Sequence, residues 1–338
     1  MTLKVVSPGF HTTVQDLGRV GWQDSGVPVS GALDPLSLRI ANGLVGNALG
    51  AAVLEMLLMG PTLEVETESV RVALAGDAAK LEILGENARV LLSHQSVLLR
   101  QGERFRVAGL ASSACAYLAV EGGMSVPDFL GSASTYVRGG LGGFEGRALR
   151  PGDALHLAKE AVEERPELRL RRAPEIDRDV IRVVLGPQDD FFDAAVIATF
   201  LQSEWRISRD ADRMGMRLEG PKLAHKAGYD IVSDGIVTGA IQVPGSGQPI
   251  LLLADHQTTG GYPKIATVIS ADLPAVGRRR PGSTIRFAAV AVEEAEEIRR
   301  AQEQDLIKLL AGAEAVAQEP TIDLNALYSR NLISGVVG

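Results

Sequence analysis

The chain has 338 residues, of which 46% are hydrophobic and 22% are charged, a composition that excludes a disordered protein and favours two domains. Its formal net charge of −8 argues against nucleic-acid binding, because neutralising phosphates requires a basic face. The N-terminus has no apolar segment of signal-peptide length, and no apolar run reaches the length of a membrane span. The single cysteine excludes an intrachain disulfide. We therefore expect a cytoplasmic protein that does not bind membranes.

The first half of the chain, residues 1–157, is predicted to consist mostly of short strands. Apolar runs such as LKVVS, TLEVE, VRVALAG, RFRVAG and CAYLAV are separated by glycine-containing turns. One helix interrupts them, in which Asp34 is a suitable N-cap and a proline occupies the first helical position. Leu36, Ile40 and Leu44 recur every four residues, which predicts one buried stripe on this helix.

The rest of the chain follows a highly charged stretch with two prolines, residues 158–179, which we interpret as a linker. Residues 180–292 again contain strand-like runs, including DVIRVVLG, PILLLA, IATVIS and STIRFAAV, with one acid-started helix. Residues 293–338 are predicted to hold most of a helix, Val292–Ala311, and a tail. The two halves share short motifs, LKVVSPG with IRVVLGP and RPGDALHL with RPGSTIRF, so a mainly β, duplicated barrel with a few peripheral helices is favoured.

Several common catalytic motifs are missing from the sequence. No phosphate-binding loop opens a helix, and no G-x-S-x-G motif is present. The five histidines are widely separated, so we predict no metal site. The chain therefore has no self-sufficient catalytic motif.

The segment DHQTTGGYPKIA, Asp255–Ala266, has the highest density of functional groups. If the flanking runs PILLLA and KIATVIS pair, their connection is longer than the roughly two to five residues usual in a hairpin, and long polar loops at the open end of a barrel often bind ligands. Lys264 could hold a carboxylate or phosphate, whereas a purely structural loop explains the composition equally well. Candidate hydrogen-bonding partners for an amide or lactam are Asp255, Gln257, Thr258 and Thr259.

Two further clusters carry candidate residues. Arg39 and Asn42 lie three positions apart on the predicted first helix, where neither is needed for folding, so we consider both as substrate-binding candidates. The alternative is that this segment is only a loop followed by a capped helix. In RDADRMGMRLEGP, Asp212 precedes Arg213, and we expect a surface ion pair there.

Three long segments closely resemble one known family. They are GVPVSGALDPLSLRIANGLVGN, DRMGMRLEGP and SDGIVTGAIQVPGSGQPILLLADHQTTGGYPKIATVI. The family is the biotin-dependent carboxyltransferase family, also called allophanate hydrolase subunit 2, and it includes the C subunits of bacterial 5-oxoprolinases. The resemblance extends from about Val5 to Phe287 and implies two cyclophilin-like β-barrel domains.

The resemblance also implies a function. It indicates a hydrolase acting on a cyclic amide, in which this chain joins subunits B and A in a hetero-oligomer that uses ATP to cleave 5-oxoproline to glutamate. ATP would be bound within the complex, on this chain or on one of its partners. Asp255 and Lys264 are then the expected catalytic residues. The expected substrate-binding residues are Arg39, Asn42, Gln257, Thr258 and Thr259.

Two other functions remain open at this point. The first is the carboxyltransferase subunit of a urea carboxylase or allophanate hydrolase-type system. Since the chain has no Met-Lys-Met biotinylation site, any biotin would arrive on another polypeptide. The second is a non-catalytic, partner-binding regulator that antagonises a kinase inhibitor. Catalysis should depend on groups such as Lys264, whereas partner binding should depend only on the contact surface.

Overall fold

The computed structural model of the protein describes residues 2–76, 78–86 and 88–316 and is mainly β, as predicted. None of the helices in this part of the chain combines the length and the apolarity that a membrane crossing requires. The helical elements are α1 (Pro35–Val45), α2 (Ala194–Gln202), α3 (Leu273–Gly277) and α4 (Val292–Ala311), with 3₁₀ turns at Gln23–Ser25, Val137–Gly139 and Asp189–Phe191.

The strands are short, and most belong to three sheets. In chain order they are β1 (Thr2–Ser7), β2 (His11–Gln15), β3 (Val53–Leu57), β4 (Thr62–Val65), β5 (Ser69–Ala75), β6 (Lys80–Leu84), β7 (Arg89–Leu92), β8 (Gln95–Arg100), β9 (Arg104–Val107), β10 (Cys115–Val120), β11 (Ala154–His156), β12 (Leu168–Arg169), β13 (Val180–Leu185), β14 (Trp205–Ala211), β15 (Gly215–Glu219), β16 (Asp234–Gly235), β17 (Ala240–Gln242), β18 (Ile250–Leu252), β19 (Thr259–Gly260), β20 (Lys264–Val268), β21 (Thr284–Ala289) and β22 (Glu314–Ala315).

The first half of the chain forms two sheets around a common apolar core, and β22 from the other end of the described chain is added to one of them. One has the order β11-β1-β4-β9-β6-β7 and the other β2-β3-β10-β5-β8-β12-β22. Strand β5 is buried on both faces: Val72 and Leu74 join the core between the sheets, and Ala73 and Ala75 join the second core, which includes α1. Side chains alternate along a strand, so the small alanines let α1 approach the sheet closely.

Helix α1 has the N-terminus and the buried stripe that the sequence predicts. The Asp34 carboxylate accepts hydrogen bonds from the backbone N–H groups of Leu36 and Ser37, at 3.0 and 2.9 Å. Ile40 and Leu44 have no exposed surface, and Leu36 packs at the edge of the same core. This core extends into the second half of the chain, so α1 joins the seven-stranded sheet to the barrel.

The second half forms a closed barrel with the strand order β13-β20-β17-β18-β15-β14-β21. Strands β13 and β21 pair in parallel and close it. The possible hairpin between the two strands that flank Asp255–Ala266 is absent, because β17 lies between β18 and β20 and pairs with both. The connecting loop therefore crosses over one end of β17.

The charged linker follows the edge of the seven-stranded sheet, held mainly by Arg71. The Nε of this fully buried arginine donates to Glu167 at 2.9 Å, and Nη1 donates to Glu121 at 2.6 Å. β12 in the linker pairs with β8 and β22. The predicted domain boundaries stay predictions, and the predicted tail lies outside the described residues from position 317 onward.

Candidate functional site

Asp255, at the start of the loop, belongs to a buried ion cluster. Both its carboxylate oxygens accept hydrogen bonds from Arg213, from Nε at 2.8 Å and from Nη2 at 3.1 Å. The same guanidinium donates to the Gly31 carbonyl at 2.7 Å and to the carboxylate of Glu55 on β3. Burial alone would lower the pKa of Arg213, but the charges of Glu55 and Asp255 outweigh it and raise that pKa above its usual value. The cluster therefore stays charged and fixes the loop to the first half of the chain.

The cluster continues toward the N-terminus of α1. Glu55 accepts a hydrogen bond from the Tyr117 hydroxyl at 2.7 Å, and that hydroxyl accepts one from the Asp34 N–H at 2.7 Å. The Asp34 side chain in turn accepts from Arg278 at 2.7 Å. Every charged member of this chain of contacts has an opposite charge within hydrogen-bonding distance, as burial requires.

The expected surface ion pair between Asp212 and Arg213 is absent. Arg213 is only 6% exposed and turns inward to Glu55 and Asp255. Asp212 instead accepts hydrogen bonds from the Met214 and Gly215 N–H groups, which forms the turn between β14 and β15. The sequence shows two adjacent opposite charges but cannot show that the turn directs them to opposite sides.

Lys264, at the other end of the loop, is a second buried cation. It is 2% exposed, and its Nζ donates to the Asp234 carboxylate at 2.6 Å and to the Gly235 carbonyl at 3.1 Å. The Asp234 side chain is 52% exposed, and its hydrogen bond from Lys264 lowers its pKa. Asp234 lies on β16, a two-residue strand that pairs only with β19. The ammonium group is thus buried, but its counterion is on the surface.

Gln257, Thr258 and Thr259 lie between these two charges, on the accessible part of the loop. Gln257 and Thr259 are exposed and Thr258 is half-buried. Their backbones hold the loop: the Gln257 carbonyl contacts the ring of His256 at 2.6 Å, and the Thr258 carbonyl accepts from Ile236 at 3.0 Å. Their side chains make no hydrogen bond to other residues in the described part of the chain, so these groups are available to a ligand.

Arg39 and Asn42 have their contacts elsewhere. Arg39 forms a two-pronged ion pair with Glu303 on α4, with Nη1 to Oε2 at 2.7 Å. Asn42 is fully buried, donates to the Ala51 carbonyl at 2.7 Å and accepts from Asn47 at 3.0 Å. Both side chains stabilise the packing around α1, contrary to the expectation that neither is needed for folding. None of their described partners lies in the loop 255–264.

Among the buried polar atoms that have no hydrogen-bond partner in the described part of the chain, three lie on connected segments at the start of the loop. They are Nη1 of Arg19, Oγ of Ser30 and Nε2 of His256. Backbone hydrogen bonds connect the segments that carry them, from Arg19 to Val29 at 2.8 Å and from Ser30 to Ala254 at 3.0 Å. Native proteins rarely leave buried polar groups unpaired, so these atoms are candidates for contacts with a ligand or water.

Sequence reasoning missed these three residues. An isolated arginine between small loop residues gives no signal that it is buried. The sequence signal that could have indicated this site is a pair of glycines, Gly18 and Gly31. A Cβ atom on Gly18 would lie 2.7 Å from the Val29 carbonyl, and one on Gly31 would lie 2.9 Å from the Gly18 nitrogen. Only glycine permits two segments to approach this closely. As for metals, residues 2–76, 78–86 and 88–316 contain no cluster of three or more His, Cys, Asp or Glu that could bind an ion.

The chain is similar to known proteins over most of its length. It is 38% identical over 303 residues to the C subunit of 5-oxoprolinase from Escherichia coli, a match that covers 89% of this chain and 96% of that protein. It is 40% identical over 293 residues to the C subunit of 5-oxoprolinase from Haemophilus influenzae, a match that covers 87% and 93%, respectively.

The fold matches that of a much larger enzyme. The crystal structure of the urea amidolyase of K. lactis superposes with a TM-score of 0.82 at 29% identity and covers 91% of this chain but 20% of that chain. The chain thus spans a fifth of the length of that protein. The family described as carboxyltransferase domain, subdomain A and B, matches residues 25–289. Since this match covers most of the chain and the two 5-oxoprolinase relatives match over nearly their full length, the chain belongs to the carboxyltransferase domain family, subdomain A and B.

Proposed function

We propose that this chain is the C subunit of an ATP-dependent 5-oxoprolinase, which cleaves 5-oxo-L-proline to L-glutamate together with subunits A and B. One observation carries the proposal: the chain matches 96% and 93% of two proteins named as the C subunit of 5-oxoprolinase. It matches only 20% of the urea amidolyase, which contains a great deal of additional polypeptide. A chain that covers an entire subunit is best interpreted as the same kind of subunit.

The site has groups suited to a lactam whose carbonyl oxygen becomes more anionic during the reaction. A preorganised cation and hydrogen-bond donors stabilise such charge most effectively in a buried site. Lys264 is the cation, and Gln257, Thr258 and Thr259 provide accessible side chains on the same loop. Arg213 holds Asp255 in a fixed orientation at the start of the same loop.

Lys264 can accept a substrate anion because its present counterion is replaceable. Asp234 is half-exposed and lies on a two-residue strand, so its carboxylate can move away without opening the core. The anionic carbonyl oxygen of the activated lactam, or an oxygen of its phosphoryl group, would then occupy the same position and keep the buried ammonium neutralised. This exchange gives Lys264 its anchoring role.

ATP supplies the phosphoryl group that activates the stable amide. We assign ATP to a partner subunit, because the glycine-rich loop of this chain, residues 139–146, leads through turns into β11. Phosphate-binding loops of the usual kind lead into a helix N-terminus. The contribution of this chain is to bind and orient the lactam.

The test is reconstitution of the complex with each subunit omitted in turn. We expect 5-oxoproline-dependent release of ADP and glutamate from the complete set, and none without this chain. Undiminished activity without it would exclude a catalytic role and would favour the regulator function. The loop variants described in the Discussion then separate catalysis from assembly.

The match to urea amidolyase, with a TM-score of 0.82, supports one alternative, a carboxyltransferase acting on urea. That reaction needs a carboxylated biotin delivered by another polypeptide. The same subunits should then be inactive with 5-oxoproline and should carboxylate urea once a biotin-carrying protein, its carboxylase and bicarbonate are added. Activity with 5-oxoproline alone excludes this alternative.

A further inference from the structure

Arg19 is unlike the other buried arginines of this protein. Four arginines in the described residues are less than 9% exposed: Arg19, Arg71, Arg213 and Arg278. Three of them form ion pairs with carboxylates at 2.9 Å or less. Arg19 is 1% exposed and forms no ion pair with any described residue. A buried guanidinium without a carboxylate is energetically costly, so another role must explain it.

Neutral backbone groups hold the Arg19 guanidinium in place. Nη2 donates to the Ser134 carbonyl and Nε donates to the Phe129 carbonyl at 3.3 Å. The Phe129 ring centre lies 5.8 Å from Cζ, in a cation–π contact. These contacts fix the orientation of the group without neutralising its charge, and Nη1 is left with no partner among the described residues.

The carboxylates nearest to Arg19 are already engaged. Asp16 accepts hydrogen bonds from the Gly18 N–H, from the hydroxyls of Ser132 and Ser134 and from the Ala133 N–H. Asp255 uses both its oxygens for Arg213. Burial lowers the pKa of Arg19, and the negative charges of Asp16 and Asp255 offset this lowering only in part. The pKa values of the three paired buried arginines are raised instead. The described residues of this chain therefore provide no counterion for the Arg19 guanidinium.

Arg19 also lies near the start of the loop 255–264. The Arg19 N–H donates a hydrogen bond to the Val29 carbonyl. The residue after Val29 is Ser30, whose N–H donates to the carbonyl of Ala254, one position before the loop begins. One small ligand could therefore contact the loop and the guanidinium together. Since Nη1 has no exposed surface, entry requires a side-chain shift, and Phe129, which is 37% exposed, is the side chain adjacent to it.

We propose that Nη1 of Arg19 binds the carboxylate of the substrate, so that Arg19 selects a lactam that carries an acid group. The assignment deepens the proposed 5-oxoprolinase function and rests on it for the identity of the substrate. The guanidinium geometry suits a carboxylate or phosphate oxygen. The carboxylate is the group that distinguishes 5-oxoproline from a simple lactam, which makes Arg19 a specificity residue.

The kinetic test compares 5-oxoproline with 2-pyrrolidinone, the same lactam without the carboxyl group, in the reconstituted complex. Hydrogen bonds to charged groups contribute enough that Arg19→Met should raise KM for 5-oxoproline by about ten-fold or more. Arg19→Lys should have a smaller effect, and in both variants kcat/KM for 5-oxoproline should fall relative to kcat/KM for 2-pyrrolidinone. The control is Arg71→Met, which removes a buried arginine whose partners are Glu121 and the linker. An unchanged preference in Arg19→Met would overturn the proposal.

A second measurement begins with the wild-type chain and needs no turnover. Ligands that bind the native state raise Tm, so the wild-type chain should be stabilised by 5-oxoproline and not by 2-pyrrolidinone at the same concentration. Equal shifts with the two lactams would overturn the assignment, and so would a shift with inorganic phosphate that Arg19→Met abolishes, since Arg19 would then bind a phosphoryl group. If the complex fails to cleave 5-oxoproline but the selective shift persists and is lost in Arg19→Met, the proposed function is wrong and the carboxylate site stands.

Discussion

Gly142 lies so close to Arg19 that a Cβ atom built on this glycine would be 2.6 Å from Nη2 of the arginine. The same atom would be 2.2 Å from the Ser134 carbonyl, which is the acceptor of that Nη2. Gly142→Ala should therefore displace the guanidinium and weaken selection of the acidic lactam. The measurement is the ratio of kcat/KM for 5-oxoproline to that for 2-pyrrolidinone.

The chain offers a matched control for this substitution. Gly140 has the same left-handed φ of +64° as Gly142, but its Cβ position has no neighbour within 4 Å. Both alanine variants lose roughly 1–2 kcal/mol from the unfavourable backbone conformation, and only Gly142→Ala adds the clash. Equal substrate preference in the two variants would show that the approach of Gly142 to Arg19 has no functional consequence.

The buried pair between Arg213 and Asp255 should be critical for stability. Arg213→Met leaves the carboxylates of Glu55 and Asp255 buried without their cation, at a cost of about 3–5 kcal/mol in the free energy of unfolding. Chemical denaturation measures this loss. The exposed Arg138→Met, whose side chain is 63% accessible, should cost less than about 1 kcal/mol. A similar small loss in both variants would contradict the structural role of the cluster.

The parts of this structure that were predictable from the sequence depend on local pattern. The cap at Asp34, the stripe through Ile40 and Leu44 and the whole of α4 follow from residues within a few positions of each other. The position of β17 between β18 and β20 does not, because strand order depends on contacts between distant segments. A loop that looked like a long hairpin connection is a crossover at the barrel end.

At the candidate site, too, the sequence predicts local features but not the contacts between distant residues. The sequence drew attention to the loop with Asp255 and Lys264, because its composition is unusual. The sequence does not predict that Asp255 contacts Arg213, which is 42 positions away. Nor does it predict that Arg19 is buried. Burial of an isolated charge is a property of the complete fold, so only the structure shows which arginine lacks a counterion.

Lys264 should be essential for turnover, and its counterion should not be. Lys264→Ala removes the buried cation and should lower kcat/KM for 5-oxoproline by about a hundred-fold or more, whereas Lys264→Arg should retain part of the activity. Asp234→Asn should leave turnover at or above the wild-type value, because the substrate anion no longer competes with a carboxylate. Normal turnover by a folded Lys264→Ala complex would exclude the anchoring role.

Stability should decrease below neutral pH because of His256 and His11. Burial lowers the pKa of both imidazoles below the ordinary value of 6.5, and for His11 the nearby charge of Arg213 adds to the effect. Between the lowered folded pKa values and 6.5 the unfolded chain binds more protons, so the free energy of unfolding falls as pH falls through this window. Denaturation midpoints measured between about pH 5 and 7.5 test this. His256→Gln should flatten the profile, and an unchanged slope would show that the pKa of His256 is the same in the folded and unfolded chains.

Arg71 should keep the charged linker resistant to proteolysis. The linker contains several arginines and would be a preferred trypsin target if it were loose, but its Glu163 and Arg165 carbonyls accept hydrogen bonds from Arg71 at 3.2 and 3.3 Å. Arg71→Met removes these contacts and the partner of Glu167 without deleting a cleavage site in the linker. We expect tryptic cuts within residues 158–179 to appear at least several-fold faster, because cleavage follows local opening.

The control for this experiment is Arg147→Met, which breaks an ion pair with Asp153 outside the linker. If both variants accelerated cleavage equally, global destabilisation would explain the result. If neither did, the β12 pairing and the hydrogen bonds that Ser69 and Ser96 accept from the Val162 and Leu168 N–H groups would suffice to hold the linker. Selective cleavage in Arg71→Met alone would establish that one buried guanidinium orders a segment that its composition marks as a flexible connection.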